Sequence, residues 1–371
     1  MKILYFYQEL PNPMFQWHRT HFIEELSHHN VIFDCFNPLL CPSIEESNEK
    51  LLEKAKSEHY DLFLSNTCYY KMLFAETVIQ IKKMGIPTLT IAWDNLMVPY
   101  MDKDLAPYFD LVWLTGKDNM NMYKKWGVKC CYAPFAANPY LFSYEAGAIN
   151  RHICFIGNPH GGRSLMINKL TESGVDVNVY CGKNKNQSKE KPLFEVKYDI
   201  VYPSIYLMAY RKIGYSSGRK QLIGSLINKM KGQTTLIDNQ YLHRYPSLSH
   251  EDMVREYASA ALSISFTSVG HTDILDKPLQ WTFLRNFEIP MCGGVQLCRY
   301  TPEIASYFEE GKEIVLYHNN DELADKANYY LKSASDTEIS HMKEAARQRS
   351  LNEHTWWHRF TKAFDILGLK Y

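Results

Sequence analysis

Residues 2–37, KILYFYQELPNPMFQWHRTHFIEELSHHNVIFDCFN, decide the fold of this chain. The stretch begins with the apolar run KILYFY, continues with a helical pattern from Phe15 to His29, and ends with a second apolar run, VIFDCFN. Short apolar runs that alternate with helices are typical of a parallel sheet covered by helices on both faces. The stretch therefore predicts the start of a Rossmann-like domain.

The same alternation continues to residue 135. Further apolar runs are YDLFLSN at 60–66, IPTLTIAWD at 86–94, FDLVWLTG at 109–116 and VKCCYAPF at 128–135, with helical patterns at 43–56, 71–84 and 123–126. Helix boundaries are marked by Asn12-Pro13, by the capping pair Ser43 and Glu46, and by Gly85 and Gly127. We predict a first Rossmann-like domain over residues 1–145.

A second alternating series begins after residues 136–150, where periodicity lapses and Asn138-Pro139 indicates a hinge. Its apolar runs are RHICFIG at 151–157, VDVNVYCG at 175–182, QTTLID at 233–238, ALSISFTS at 261–268, GGVQLC at 293–298 and EIVLY at 313–317. Its helical patterns cover 164–173, 251–260 and 283–291, and two more begin at Thr301-Pro302 and at Asp321. We interpret residues 183–191 as a polar surface loop and residues 201–218 as an aperiodic aromatic insertion packed on this domain.

The series predicts a second Rossmann-like domain over residues 146–345. In the last segment, 346–371, Trp356, Phe360 and Phe364 recur four apart and form an apolar stripe that needs a covering surface. We expect this helix to return toward the N-terminal domain and pack back across the domains. The fold class is therefore α/β, with two doubly wound domains that face a cleft, and ligands of such sheets bind beyond the carboxyl ends of the strands.

Composition excludes several function classes. The 371 residues contain 41 Lys plus Arg and 41 Asp plus Glu, so no global field would recruit nucleic acid or an anionic membrane. The nine cysteines include no CxxC pair, which argues against zinc and redox chemistry. No apolar run is long enough for a secretory signal or a membrane span, so we expect a cytoplasmic protein.

The stretch RNFEIPMCGG at 285–294 carries the first candidate site. If it is helical, the i,i+3 spacing points Arg285 and Glu288 the same way, ahead of the Gly293-Gly294 turn. A carboxylate can accept hydrogen bonds from two ribose hydroxyls, and a guanidinium suits a diphosphate. The alternative is a buried helix with one internal ion pair.

A second candidate lies in FIGNPHGGR, directly after the first strand of the second domain. Its glycines permit tight turns, and Arg163 would stand beside the amides of a helix N-terminus, where anions bind. The candidate residues are Gly157, Asn158, Gly161, Gly162 and Arg163. The spacing is not GxGxxG, which makes a dinucleotide cofactor a weak interpretation. A glycine-rich connection without a ligand is the alternative.

The loop SVGHTDILDKP at 268–278, which follows the strand ALSISFTS, is a third candidate. Lys277 could meet the outer phosphate, and His271 or Asp273 could hold sugar hydroxyls, with Gly270 allowing the turn. Alternatively, these polar residues cap a helix and face water.

The C-terminal blocks resemble the CgeB-like glycosyltransferases, a group within the group 1 superfamily of GT-B fold. The resemblance rests on FIGNPHGGR, YASAALSISFTSVGHTDI, RNFEIPMCGGVQL and PEIASYFEEGKEIVLY, and it is weaker before residue 150. It implies that the C-terminal domain holds a nucleotide-sugar donor and the N-terminal domain an acceptor. By this resemblance Glu288 binds the ribose, Gly293-Gly294 form the turn behind it, and Arg163 binds the diphosphate. Many retaining relatives carry a second glutamate where this chain has Gln280, which leaves the stereochemistry open.

The implied reaction is displacement at an anomeric carbon with a nucleoside diphosphate as the leaving group. Arg163, Lys277 and Arg285 would stabilise the departing charge, so neither a metal nor a cofactor is required. If the reaction inverts, a general base is needed, for which Asp94 is preferred because it follows a predicted strand. His18 and Glu9 are the other candidate bases.

The segment MDKD, with Asp102 and Asp104, imitates a metal-binding DxD motif, but we interpret it as a solvated turn because it belongs to a different fold.

These features predict a glycosyltransferase that moves a sugar from a nucleoside diphosphate to a glycan or another hydroxyl acceptor. One alternative is a nucleotide-sugar epimerase or hydrolase, which needs the same grip on the donor. The other is a non-catalytic nucleotide-sugar sensor or surface-assembly protein. Nucleic acid is not an expected partner, a peripheral membrane contact is left open, and the oligomeric state is not indicated.

Overall fold

The computed structural model describes residues 1–11, 13–66, 72–143, 147–159, 162–182, 197–231 and 235–371. Asn12, Gly161, residues 183–191 and the first part of QTTLID, about which the sequence makes predictions, lie outside the described residues. The chain divides into two compact units. The first contains Met1–Leu141, Ile213–Tyr215 and Thr355–Tyr371, and the second contains Phe142–Lys212 and Ser216–His354.

The first unit is built on a six-stranded parallel sheet. Its strands are β1 Lys2–Phe6, β2 Ile32–Phe36, β3 Leu62–Ser65, β4 Thr88–Ala92, β5 Leu111–Leu114 and β6 Cys130–Tyr132, in the order β2-β1-β3-β4-β5-β6. Its helices up to residue 125 are α1 Pro13–His18, α2 Glu24–Ser27, α3 Ile44–Ser57, α4 Ala75–Lys83 and α5 Met120–Lys125. A π-helical turn, Arg19–Ile23, joins α1 to α2. The predicted parallel sheet is confirmed.

The start of α3 and the ends of α4 and α5 lie where the capping residues of the sequence predict them. The Ser43 hydroxyl accepts a hydrogen bond from the Glu46 amide at 3.1 Å and caps α3. Gly85 and Gly127 follow α4 and α5 with φ values of 84° and 77°, a left-handed conformation that favours glycine.

The second unit has a parallel sheet of the same size. Its strands are β7 Asn150–Ile156, β8 Val177–Tyr180, β9 Leu242–Tyr245, β10 Ala260–Ser265, β11 Gln296–Arg299 and β12 Ile314–Tyr317, in the order β12-β11-β10-β7-β8-β9. Its helices are α6 Gly162–Glu172, α7 Tyr202–Lys212, α8 Gly218–Lys231, α9 His250–Ser259, α10 Arg285–Met291, α11 Asn320–Lys332 and α12 Asp336–Glu353. The chain thus folds as two doubly wound α/β sheets, as predicted.

Three sequence predictions for this unit are wrong. Residues 235–238 are not a strand, and β9 lies at Leu242–Tyr245 instead; as an edge strand with polar side chains it lacks an apolar run. Residues 201–218, predicted to be aperiodic, are largely helical. Since α7 exposes apolar side chains, its sequence shows no single buried face and hides the helical period. Apart from Ile213–Tyr215, the segment belongs to the second unit, as predicted. The helix predicted from Thr301-Pro302 is only a short 3-10 turn, Ile304–Ser306.

The last helix of the chain, α13 Trp356–Leu367, belongs to the first unit. Its stripe of Trp356, Phe360 and Phe364 is fully buried, and the Phe360 ring lies 5.1 Å from that of Trp113 and 5.2 Å from that of Phe22. The stripe is therefore part of the aromatic core of the first unit.

A buried carboxylate fastens the start of α13. The Glu25 side chain on α2 accepts hydrogen bonds from the backbone amides of Trp356 at 3.1 Å and Trp357 at 2.7 Å. These are amides that a helix N-terminus otherwise leaves without a partner. Burial raises the pKa of Glu25 to about 7, although the two amides and the Thr355 side chain act in the opposite direction.

Candidate functional site

The direction of the connections in the second unit reverses between β7 and β10. Connections run outward from β7 through β8 to β9 on one side, and from β10 through β11 to β12 on the other. Ligands of open parallel sheets bind beyond the carboxyl ends of the strands at such a reversal of direction. Residues 157–159 and the start of α6 follow β7, and the loop 266–284 follows β10, so two of the three predicted candidate stretches lie beyond these two neighbouring strands.

Arg163 stands at the start of α6, beyond the carboxyl end of β7. Gly157 adopts φ 145°, which admits the tight exit from β7, and Arg163 Nη1 donates a hydrogen bond to the Asn158 carbonyl at 3.3 Å. The guanidinium carbon lies 5.9 Å from the centre of the Phe266 ring. Burial lowers the pKa of Arg163, Asp273 opposes that change, and the charge of Arg285 adds to it.

Asp273 lies against the first residue of α6. A Cβ built on Gly162 would stand 1.1 Å from Asp273 Oδ2 and 2.1 Å from its Cγ, so only glycine leaves room for this carboxylate. Burial raises the pKa of Asp273, while the charges of His271, Arg299 and Arg163 lower it. The carboxylate thus lies beside the first residue of α6, next to Arg163 in the sequence of that helix.

The replacement Gly162→Ala is expected to lower the free energy of unfolding by about 1–3 kcal/mol, the usual cost of overpacking. The reason is the contact with Asp273, which must turn away or move α6. Urea unfolding of the two variants and their combination checks this. In an Asp273→Ala background, which removes all the contacting atoms, the same replacement should cost far less; an equal cost in both backgrounds would contradict the contact.

Arg285 and Glu288 form the ion pair that their spacing predicts. On α10, Arg285 Nη1 lies 2.5 Å from Glu288 Oε2, with the Arg285 side chain 41% exposed and that of Glu288 3% exposed. Arg285 also donates to Met253 Sδ at 3.1 Å and lies over the Tyr257 ring. Burial disfavours the charge of Arg285, but Glu288 and Tyr257 outweigh it and raise its pKa. The guanidinium therefore stays charged and is open to solvent on one side.

A buried polar network holds α10 against the sheet. Asn286 Nδ2 donates to Ser265 Oγ and to Gln296 Oε1, both at 3.1 Å, and Gln296 Nε2 donates back to the Asn286 carbonyl at 2.9 Å. All three side chains are buried, so the bonds restrict the position of the helix that carries Arg285 and Glu288. The sequence analysis missed this network, whose only signal is a polar residue in each of three apolar stretches.

Gly293 and Gly294 serve the packing of α10. Gly293 has φ 72° at the end of the helix, and a Cβ on Gly294 would lie 2.8 Å from the Tyr257 carbonyl oxygen. They form the turn behind Glu288 and let α10 approach α9 closely.

The remaining predicted residues of the loop after β10 lie apart from the arginines. Gly270 has φ 56°, and His271 Nδ1 lies 2.8 Å from Asn228 Nδ2 of α8. Burial lowers the pKa of His271, with Asp273 acting against it. Lys277 is exposed, and within the described ranges no contact joins its side chain to Arg163, Asp273 or Arg285. The structure thus places Asp273 beside the start of α6, which carries Arg163, pairs Arg285 with Glu288 on α10, and leaves Lys277 at the surface.

A small pocket of about 20 Å³ lies beside Asp273, beyond the carboxyl ends of β10, β11 and β12. Arg299 and Thr267 line it, neither of which the sequence analysis singled out. Among the described residues, Thr267 Oγ1 and the nearby loop atom Gln280 Oε1 are buried without a hydrogen-bond partner. Buried polar atoms in proteins are normally paired, so these two atoms are exceptions.

The candidate bases lie in the first unit. Asp94 is half-buried two residues beyond β4, and its carbonyl accepts the amides of Met97 and Val98. His18 is buried, with Nδ1 2.8 Å from the Tyr5 hydroxyl, and burial together with His21 lowers its pKa to about 3. Glu9 is held in an ion pair with Arg19, with 2.6 Å between Oε2 and Nη2.

The interpretation of MDKD as a solvated turn is wrong for Asp102. This side chain is buried and accepts a hydrogen bond from the Tyr123 hydroxyl, because Pro99–Met101 forms a 3-10 turn that directs it toward α5. Only Asp104 is exposed.

The sequence was compared with protein families and with curated proteins. Residues 219–365, which include Asp273, Arg285 and Glu288, match a family model described as glycosyl transferase-like. A search of the curated proteins gave no significant match.

Solved structures resemble the chain over nearly its whole length. HepE from Anabaena, in complex with UDP and glucose, is 12% identical, with a TM-score of 0.56 and 99% of each chain covered. Sucrose-phosphate synthase from Thermosynechococcus elongatus is also 12% identical, with a TM-score of 0.56 and coverage of 99% of this chain and 98% of that one. A glycosyltransferase from Rickettsia africae is 11% identical, with a TM-score of 0.55 and the same coverage. The chain therefore has the two-domain α/β fold of the GT-B glycosyltransferases, and its residues 219–365 match a glycosyl transferase-like domain.

Proposed function

We propose that this protein is a glycosyltransferase that moves a sugar from a nucleoside diphosphate to a hydroxyl group of a glycan or another acceptor. The observation that carries the proposal is the position of two guanidinium groups in the second unit. Arg163 stands at the start of α6, beyond the carboxyl end of β7, and Arg285 lies on α10, paired with the buried Glu288. Guanidinium groups in such a place suit an anion with several oxygen atoms, such as a diphosphate.

Glu288 gives the site its second chemical feature. Its carboxylate is almost fully buried and paired with Arg285, so its position on α10 is fixed. We assign it to the ribose hydroxyls of the donor, as the resemblance to CgeB-like glycosyltransferases implies. UDP is the first nucleotide to test, because HepE is a structural neighbour solved with UDP and with UDP-glucose.

In the proposed reaction an acceptor hydroxyl attacks the anomeric carbon while the bond from that carbon to the diphosphate oxygen breaks. Negative charge grows on the leaving oxygen, and Arg163 and Arg285 stabilise it without a required metal. Asp94 takes the hydroxyl proton if the reaction inverts. A buried histidine with a pKa near 3 is a poor proton acceptor at neutral pH, so we assign His18 to the core of the first unit.

Calorimetric titration with UDP tests the donor site. Binding by the wild type, and a loss of at least about tenfold in affinity for Glu288→Ala, are expected, because removing one partner of a buried charged hydrogen bond costs about 1.5 kcal/mol or more. Glu251→Ala, which removes an exposed glutamate on α9, is the matched control and should bind normally. Equal affinity for UDP in all three proteins would show that Glu288 does not contribute to UDP binding.

Product analysis separates transfer from the alternative activities. Incubation of a UDP-sugar with the protein, with and without acceptor, should show slow release of UDP alone and faster release with acceptor. An altered sugar still linked to UDP would indicate an epimerase. Binding without any turnover over long incubation would indicate a sensor or assembly protein.

A further inference from the structure

Helices α7 and α8 form a hairpin that exposes an unusual amount of apolar surface. We call residues 200–231 the α7–α8 hairpin. On α7 the exposed apolar side chains include Ile205 and Met208, the latter 62% exposed. On α8 Ile223, Leu226 and Met230 recur at i, i+3 and i+7, with Leu226 61% and Met230 79% exposed. Each helix therefore turns an apolar stripe to solvent.

The same hairpin carries a strong positive charge. Residues 200–231 contain no aspartate or glutamate, although the whole chain has as many acidic as basic residues. The basic residues of this stretch are Arg211, Lys212, Arg219, Lys220, Lys229 and Lys231. Arg219 continues the α8 stripe one turn before Ile223, so charge and apolar surface lie on the same side of that helix.

The two helices of the hairpin pack closely against each other and against the loop after β10. A Cβ on Gly218 would stand 2.6 Å from the Tyr210 ring, which shows how closely α7 and α8 pack. A Cβ on Gly224 would stand 2.5 Å from the His271 carbonyl oxygen, and Asn228 bonds the His271 ring at 2.8 Å. These contacts hold the hairpin on the loop after β10, so its apolar stripes cannot turn inward.

We propose that the α7–α8 hairpin docks on the surface of an anionic phospholipid bilayer. Helices that lie in a membrane interface combine an apolar stripe with lysine and arginine, which attract anionic head groups. A second copy of the chain is disfavoured as the occupant, because it would press two carboxylate-free basic surfaces together. None of the helices in the described ranges is long and apolar enough to cross a membrane. The proposed contact is therefore peripheral.

Co-sedimentation with vesicles tests the proposal, without any nucleotide present. The full-length protein should bind vesicles of equal parts phosphatidylcholine and phosphatidylglycerol, bind pure phosphatidylcholine far more weakly, and dissociate in high salt. The variant Ile223→Ser/Leu226→Ser/Met230→Ser should bind the anionic vesicles roughly a hundredfold more weakly, because it removes three apolar side chains from the contact.

A charge variant, Arg211→Gln/Lys212→Gln/Arg219→Gln, should lose a similar factor of roughly a hundred, since each basic residue near an anionic surface contributes about a fivefold gain. The matched control is Ile32→Ser/Leu40→Ser, which removes two exposed apolar side chains of the first unit and should bind like the wild type. Thermal unfolding checks that each variant is folded.

Three outcomes would overturn the proposal. The wild type does not bind anionic vesicles; or it binds both vesicle types equally; or it sediments as a dimer that the α8 variant converts to a monomer. Because nucleotide is absent throughout, failure here is distinguishable from failure of the UDP titration.

Discussion

Replacing Arg163 with alanine is expected to lower kcat/KM for sugar transfer by about two to three orders of magnitude, the usual effect of removing one group that stabilises developing charge. The reason is that in the proposed reaction both Arg163 and Arg285 stabilise the departing diphosphate, and one guanidinium alone would leave much of that charge uncompensated. Steady-state kinetics of UDP release with acceptor present gives the measurement.

The matched control is Arg255→Ala, which removes an exposed arginine of α9 that pairs only at the surface. It should keep nearly the full rate. If Arg163→Ala and Arg255→Ala turn over equally fast, Arg163 does not contact the leaving group, and the second unit holds its donor elsewhere.

The second large effect concerns stability and Glu25. Its pKa is about 7 in the folded protein and 4.5 as the ordinary value, so the folded state binds the proton more tightly. The contribution of Glu25 to the free energy of unfolding is therefore greatest below about pH 4.5. It falls as the pH rises to 7, by at most about 3 kcal/mol. The variant Glu25→Gln, which mimics the protonated form, should not show this decrease in stability between low and neutral pH. Urea unfolding at about pH 5 and about pH 8 measures the difference.

Glu25→Ala separates titration from hydrogen bonding. It also lacks the pH dependence, but it leaves the amides of Trp356 and Trp357 without their acceptor. It should therefore be less stable than Glu25→Gln by about 1–3 kcal/mol at both pH values. If wild type and Glu25→Gln show the same difference in stability between the two pH values, burial does not raise the pKa of Glu25 as described.

The fold could be predicted because central strands of parallel sheets are continuous apolar runs. KILYFY is an almost continuous apolar run, ALSISFTS alternates small polar residues with apolar ones, and both contain a buried strand. The misses lie where burial does not follow that rule. Strand β9 is at an edge and keeps polar side chains, and α7 exposes its apolar residues, so neither shows the expected period.

Only the part of the candidate site that depends on residues close together in the sequence could be predicted. Arg285 and Glu288 are three apart on one helix, and the structure shows them paired. The contact of Asp273 with Gly162 joins residues more than a hundred positions apart, and no periodicity announces it. Thr267 and Arg299 stand at the ends of neighbouring strands, where only the sheet order shows that they share a pocket.

The assignment of α13 to the first unit also bears on the order in which the chain can fold. Residues 1–141 reach the ribosome exit long before Trp356 and Phe360, yet their aromatic core includes both rings. Most of the second unit is synthesised in between and depends on no later residue. During translation the second unit can therefore reach its native packing first, because the core of the first unit is complete only when α13 has been synthesised.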